Sequence, residues 1–236
     1  WRELFQKEGL VGFCAQTDVK GERRKRPRQQ QDPDMYFRVV ERKSDGIVVR
    51  GSKVHNSEAS VADEIVVLPT RALLPEEKDW AVAFAVPGDW EGVKQVVTVH
   101  NLRDRQYFKR GFTPGSTDSY TIFDNAFIPW ERVFLCGETI HGGTCALLFA
   151  LFHRHSYSGC KPALGDLMLG TVALAAEYNG IGKASHVRDK LAEIIRVSEL
   201  GYAAGFTASE LGKPEVYIPS VGFKPYGPGS YIPNSI

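Results

Sequence analysis

Two kinds of hydrophobic pattern divide this chain. From about residue 10 to residue 135, short β-branched and aromatic runs alternate with turn residues. Examples are Tyr36-Phe37-Arg38-Val39-Val40, Gly46-Ile47-Val48-Val49-Arg50, Glu64-Ile65-Val66-Val67-Leu68 and Ala81-Val82-Ala83-Phe84-Ala85-Val86. Runs of this length and composition predict strands. Ser44-Asp45-Gly46, between the first two, is a hairpin-type turn signal. Short strands at this spacing, without helical patterns between them, predict an antiparallel sheet or barrel. From Gly137 the texture shifts to Ala, Leu and Gly. Val187, Leu191, Ile194, Ile195 and Val197 recur near helical spacing and predict a helix over 185–211, with Ser185 as N-cap and Gly212 as stop. Two earlier helices are expected over 142–152 and 164–178, and the Pro-, Gly- and Tyr-rich tail from Pro214 reads as a loop. The pattern predicts an α+β chain, a β domain followed by an α domain, without internal repeats.

Composition sets limits. With 236 residues there is room for one large domain or two small ones. Apolar residues at 43% and charged residues at 24% exclude a wholly disordered or collagen-like chain. A net charge of +1 gives no global field that would select nucleic acid or a membrane surface, so neither is expected as a partner. The longest apolar run, Cys145 to Phe152, is far short of a membrane span. Cys14, Cys136, Cys145 and Cys160 lack the density of a disulfide framework, so a reducing, cytoplasmic setting is expected. The chain opens on Trp1 without an initiator Met or targeting segment and closes on an uncapped Ser-Ile, which reads as an internal piece of a longer protein.

Three segments carry candidate chemistry. Lys20 to Arg28 holds six positive charges against one negative, which suits either a polyanion or a solvated loop. Thr17 to Gly21 and Gly51 to Ser57 are polar loops beside strands, able to grip a flat cofactor ring or merely to shape turns. His153 to Lys161 places two imidazoles, a phenol, a thiol and an amine within nine residues, just after an apolar run. On a helix His153 and Tyr157 share a face, and Cys160 returns to it. Imidazole and thiolate together suit iron or zinc, although two donors do not close a site and such a pair is also compatible with a structural role.

Taken together, several segments resemble the 4-hydroxybutyryl-CoA dehydratase family. They are Thr17 to Gly21, Gln30 to Asp34, Arg38 to Arg42, Gly46 to Gly51, Phe123-Asp124-Asn125 with Pro129 to Phe134, His153 to Lys161, and Tyr178-Asn179-Gly180 through Lys183 to Lys190. The wider family includes flavin-dependent 4-hydroxyphenylacetate 3-hydroxylases, and the His153 and Cys160 pair marks the separation from them. The resemblance implies an acyl-CoA-dehydrogenase-like fold. Residues 1–9 would be a remnant of its N-terminal helical domain, 10–135 its middle, flavin-binding β domain, and 136–236 the start of its C-terminal helical bundle.

The same resemblance implies FAD, a [4Fe-4S] cluster and an acyl-CoA substrate in a homotetramer. The reaction would be dehydration of 4-hydroxybutyryl-CoA to crotonyl-CoA, with vinylacetyl-CoA Δ-isomerase activity, by a flavin and iron–sulfur radical route. His153 and Cys160 would ligate the cluster, with the remaining Cys ligands upstream of Trp1. His153, Tyr157, Lys161, Asp118 and Ser57 would be catalytic. Gln16, Thr17, Asp18, Arg23, Lys53, His55 and Ser57 would bind the flavin. The family has Thr where Ser57 stands and Glu where Asp118 stands. The helix start at Thr144 to Phe149 departs from the family's Val-Glu-Arg-Phe pattern, and the stretch between Val97 and Thr117 is shortened. The alternatives are a flavin-dependent aromatic hydroxylase without a cluster, and a non-catalytic fragment.

Overall fold

Short strands, the central ones buried along most of their length, build the first of two units. The computed structural model describes residues 1–97, 118–212, 216–218 and 222–224, and divides into Trp1–Ala146 and Leu147–Ile236. In the first unit a short helix α1 (Arg2–Glu8) ends on a left-handed Gly9. It is followed by strands β1 (Gly12–Ala15), β2 (Arg38–Arg42), β3 (Gly46–Lys53), β4 (Glu64–Val67), β5 (Val82–Pro87), β6 (Val93–Val97), β7 (Ser119–Pro129) and β8 (Val133–Cys136). The four runs expected to be strands form β2 to β5, and the predicted hairpin closes with Arg42 opposite Ile47 and Lys43 N–H donating to the Gly46 carbonyl at 2.8 Å.

The sheets are antiparallel as expected, with one parallel pairing. There are two open four-stranded sheets, ordered β1-β4-β5-β8 and β2-β3-β7-β6, and β1 runs parallel to β4. The β2–β3 hairpin belongs to the other sheet, so the chain between β1 and β4 has crossed over and returned, which permits parallel pairing. Side chains of both sheets meet in one core. There Phe37, Phe84 and Phe123 pack with ring centroids 4.9–5.8 Å apart among Val39, Ile47, Ile65 and Val67. Emptying one such aromatic position costs about 3–5 kcal/mol. Gly51, at φ +128°, sits at a bulge in the β3–β7 ladder where a Cβ would lie 2.9 Å from the Phe37 backbone.

The two helices expected over 142–152 and 164–178 are one, α2 (Thr139–Tyr178), which starts in the first unit and runs on into the second, with Pro162 inside it. A mid-helix proline removes a backbone hydrogen bond. Here the ring is buried against α3 (Ser185–Leu211), with Gly201 beneath it. The seam is made of small residues: Ser158 faces Gly205, Pro162 faces Gly201, and Gly165 faces Ser198. Steps of three and four residues on both helices keep these positions on one stripe. The helix α3 occupies the expected span, but Ala184, not Ser185, is its N-cap and contributes no side-chain bond. The tail expected to be a loop contains a short antiparallel pair, β9 (Val216–Ile218) with β10 (Gly222–Lys224). Its β-branched and aromatic residues suit strands in spite of the surrounding prolines. The rest of that tail and the shortened stretch between Val97 and Thr117 lie outside the described residues. Among the described residues no helix is long and apolar enough to cross a membrane.

Candidate functional site

The two polar loops at the ends of β1 and β3 are held together by a buried lysine. Lys53, 1% exposed, uses all three ammonium donors: to the Gln16 carbonyl at 3.0 Å, the Leu68 carbonyl at 2.9 Å and the Asp18 carboxylate at 2.8 Å. Its charge also lies 5.3 Å from the centre of the Phe37 ring. Asp18 accepts from the Phe37 N–H as well, at 3.1 Å, and burial holds its carboxyl above the ordinary carboxylate range against the pull of Lys53. Val54 N–H donates to the Thr17 carbonyl at 2.8 Å. Lys53 and Asp18 therefore point inward and fix the loops, while the half-buried Thr17 and the exposed Arg23, His55 and Ser57 remain on the outer side. The Gln16 amide donates to the Ala146 carbonyl at 3.3 Å, in the first turns of α2.

Beyond Lys53 the chain winds tightly, with His55 and Glu58 both left-handed at φ 59° and 67°. The residue between these turns that was not singled out from sequence is Asn56. It is 1% exposed, and its amide donates to the Lys53 carbonyl at 3.1 Å and to Thr121 Oγ1 at 2.8 Å. An asparagine in a polar loop reads as a turn former, so only the fold reveals its second partner on β7. Asn56 and Ser119 exchange two backbone hydrogen bonds, each 3.1 Å. This pairing sets Ser57 opposite Asp118, and Ser57 Oγ donates to Asp118 Oδ1 at 2.5 Å.

The basic run is mostly neutralised. Arg26 binds the fully buried Glu77 and the Ala72 carbonyl; Arg28 pairs with Glu76 at 3.2 Å, and Lys25 and Arg24 pair with Glu22 at 2.8 and 3.5 Å. Burial alone would raise the Glu77 carboxyl, but hydrogen bonds from Arg26 and the Leu74 N–H outweigh it and hold the group below the ordinary range. A run whose cations are paired with local acids is a loop device more than a polyanion surface.

On α2 the candidate residues line up along one stripe. Phe149 stacks on the His153 ring, with centroids 5.3 Å apart and planes at 10°. His153 Nε2 is 2.8 Å from the Tyr157 hydroxyl, and the Lys161 ammonium stands 4.8 Å from the centre of the Tyr157 ring. Positions 153, 157 and 161 are four apart, so each lies one turn below the last. Tyr157 and Lys161 also line a cavity of about 600 Å³ between α2 and α3, continued by Leu164, Met168, Ile194 and Val197. Cys160 is exposed. Among the described residues no three His, Cys, Asp or Glu side chains gather as a metal-binding group. Cys14 and Cys145 do not extend the set: burial pushes the Cys14 thiol up to about 12 and also raises Cys145. His155, two residues from His153, points away from the His153 stripe. Its Nε2 meets Ser209 Oγ of α3 at 3.2 Å.

Comparison with known proteins gives these residues a context. The family described as 4-hydroxyphenylacetate 3-hydroxylase matches by its N-terminal part over residues 1–135 and by its C-terminal part over 143–236. The chain is 40% identical over 218 residues to a 4-hydroxybutyryl-CoA dehydratase/vinylacetyl-CoA-Δ-isomerase of Clostridium aminobutyricum, spanning 90% of this chain and 44% of that one. A solved archaeal 4-hydroxybutyryl-CoA dehydratase from N. maritimus superposes with a TM-score of 0.78 at 34% identity, over 94% of this chain and 44% of that one. The oxygenase component of 4-hydroxyphenylacetate 3-monooxygenase, solved with FAD, superposes at 0.76 with 28% identity, over 90% and 46%. Butyryl-CoA dehydrogenase from Megasphaera elsdenii, 15% identical with a TM-score of 0.60, shares the fold, which is acyl-CoA-dehydrogenase-like as expected. The chain thus spans slightly under half the length of these relatives, which are enzymes of more than one reaction type.

Proposed function

Because the chain belongs to the 4-hydroxyphenylacetate 3-hydroxylase family, we propose that it is part of a flavoenzyme dehydrating a hydroxyacyl-CoA, of the 4-hydroxybutyryl-CoA dehydratase type, with the associated Δ-isomerase activity. The observation that carries this reading is the stripe of His153, Tyr157 and Lys161, with the exposed Cys160 preceding Lys161 in the chain.

The polar groups of the loops fit a flavin. Thr17 and Ser57 offer hydroxyls to the polar edge of a ring, Arg23 offers a cation to a diphosphate, and Lys53 with Asp18 holds both loops in place. When bound, a flavin supplies one-electron and hydride chemistry that side chains lack. His153 and Cys160 fit half of an iron–sulfur ligand set, imidazole nitrogen and thiolate sulfur, and the other ligands would come from outside residues 1–236. Such a cluster, when bound, supplies a Lewis acid for a departing hydroxyl. The chain's own part is proton handling. The 2.8 Å contact between His153 Nε2 and the Tyr157 hydroxyl lets a proton held on one pass to the other. Lys161 keeps a positive charge against the phenol face, favouring negative charge nearby. Assembly as a homotetramer, with neighbouring subunits completing the flavin contacts, belongs to the same proposal.

A second reading, a flavin monooxygenase without a cluster, is supported by the likeness to the FAD-bound oxygenase component. Iron and acid-labile sulfide, measured against flavin in the longest product the gene encodes and purified without oxygen, separate the two. Equal iron and sulfide beside flavin supports the dehydratase. Flavin without iron supports the monooxygenase, and the absence of both overturns the flavoenzyme reading.

A further inference from the structure

Two of the positions at which this chain departs from the resemblance, Ser57 and Asp118, touch each other. The contact is built into the fold. Asn56 and Ser119 exchange both backbone hydrogen bonds, and Ser119 Oγ adds a third to the Asn56 carbonyl at 3.0 Å. In an antiparallel pairing of this kind the next residues outward face each other. The buried Asn56 amide, bonded to Lys53 and Thr121, prevents the loop from swinging away. Ser57 is exposed and Asp118 half-buried, so the pair is fixed at its base and open at its tip.

Chemistry then fixes the direction of the bond. A carboxylate only accepts, so the single hydroxyl proton of Ser57 is spent on Asp118. What Ser57 still offers a ligand is its lone pairs. We propose that Asp118 is a positioning residue acting through Ser57: it consumes the hydroxyl proton, so that Ser57 accepts a hydrogen bond from an N–H of a flavin ring. The proposal rests on the flavin reading above. A flavin carries such a group as the imide N3–H in both redox states, and as N5–H once reduced; the experiment separates these sources.

The longest product of the gene, stripped of flavin, is titrated with FAD, with 3-methyl-FAD and with anaerobically reduced FAD. The variants are Ser57→Ala, Ser57→Thr, Asp118→Asn and the double Ser57→Ala/Asp118→Asn. Ser57→Ala is expected to weaken binding about tenfold, the value of one hydrogen bond, while Ser57→Thr keeps it. Asp118→Asn is expected to weaken binding when Ser57 is present and to add nothing when Ala stands there. Loss with FAD but not with 3-methyl-FAD marks N3–H, and loss confined to reduced FAD marks N5–H. Unchanged unfolding midpoints show that the variants act on binding. An effect of Asp118→Asn that is equal in both backgrounds overturns the proposal, as does Ser57→Ala with no effect in any titration. If the unmutated protein binds no flavin in either redox state, the flavin reading falls and takes the proposal with it, a result distinct from tight binding with additive effects.

Discussion

The ammonium of Lys53 lies 2.8 Å from the carboxylate of Asp18, and both side chains are sealed from solvent. Removing one partner strands the other charge in the interior, which typically costs about 3–5 kcal/mol. Lys53→Met should therefore lower the denaturant midpoint steeply. Adding Asp18→Asn should recover part of the loss, because the stranded carboxylate goes with it. A double-mutant cycle on unfolding free energies checks this. Additive losses would mean that the two groups do not depend on each other.

Acid should weaken the same unit through a second pair. The Glu77 carboxyl is held below the ordinary range by Arg26 and the Leu74 N–H, although burial pulls the other way. The native state then binds fewer protons than the unfolded chain in the window between the two values, so stability rises with pH across it. This contribution is present above the ordinary carboxylate value and is lost as pH falls through the lower native one. Glu77→Gln should cost about 1.5–3 kcal/mol near neutrality, the worth of a hydrogen bond to a charged group. Its gap from the unmutated protein should narrow towards pH 3. Urea titrations at several pH values measure that gap, and a gap that stays constant with pH would contradict the argument.

How far the sequence was legible depended on whether the signal was local. Strands β2 to β5 and helix α3 were readable because period and composition are properties of a few adjacent residues. The parallel pairing of β1 with β4 was not, because it depends on partners about fifty residues apart. The polar run from His153 to Lys161 hid the continuity of α2, since the seam that shelters Pro162 lies on another helix. In the site, the stripe of His153, Tyr157 and Lys161 follows from helical spacing alone. Asn56 stayed invisible because its partner Thr121 is on β7. Polar loops look alike in sequence whether their amides face water or a neighbouring strand.

Thiol reactivity should separate the cysteines. The Cys14 thiol, pushed up to about 12, stays protonated at ordinary pH, and burial raises Cys145 too. Cys160 is exposed. Thiolate is the reactive form and access is required. On the metal-free protein, iodoacetamide at pH 8, followed by peptide mass spectrometry, should label Cys160 first and leave Cys14 unlabelled until denaturant is added. Early labelling of Cys14 in the folded protein would contradict its placement.

The helical seam makes a steric prediction. A Cβ on Gly205 would lie 2.1 Å from the Ser158 Cβ, a distance no real pair of carbons adopts. Gly205→Ala should destabilise by about 1–3 kcal/mol, the usual range for overpacking, despite the better helix propensity of alanine. Ser158→Gly in the same chain should recover much of the loss by vacating the space. Thermal unfolding of the single and double variants tests this. Stabilisation by Gly205→Ala alone would mean that the two helices stand further apart.

Two histidines two residues apart, and the phenol that follows them, have separate contacts. His153 meets Tyr157 on the exposed stripe, whereas His155 Nε2 meets Ser209 on α3, and its buried Nδ1 has no hydrogen-bond partner among the described residues. On the proposed reading, Cys160→Ala should lose iron, since a thiolate anchor disappears. His153→Ala should be equally severe for activity, because it removes both a ligand and a proton carrier. Tyr157→Phe keeps every proposed ligand and loses one hydroxyl, so iron and flavin should stay while the rate falls about a hundredfold or more. His155→Gln should leave iron and flavin in place but lower the melting temperature, because a packed contact with α3 changes. Iron, flavin and turnover measured on all four variants of the longest gene product give the answer. Iron lost with His155→Gln but retained with His153→Ala would assign the ligand to the wrong face of α2.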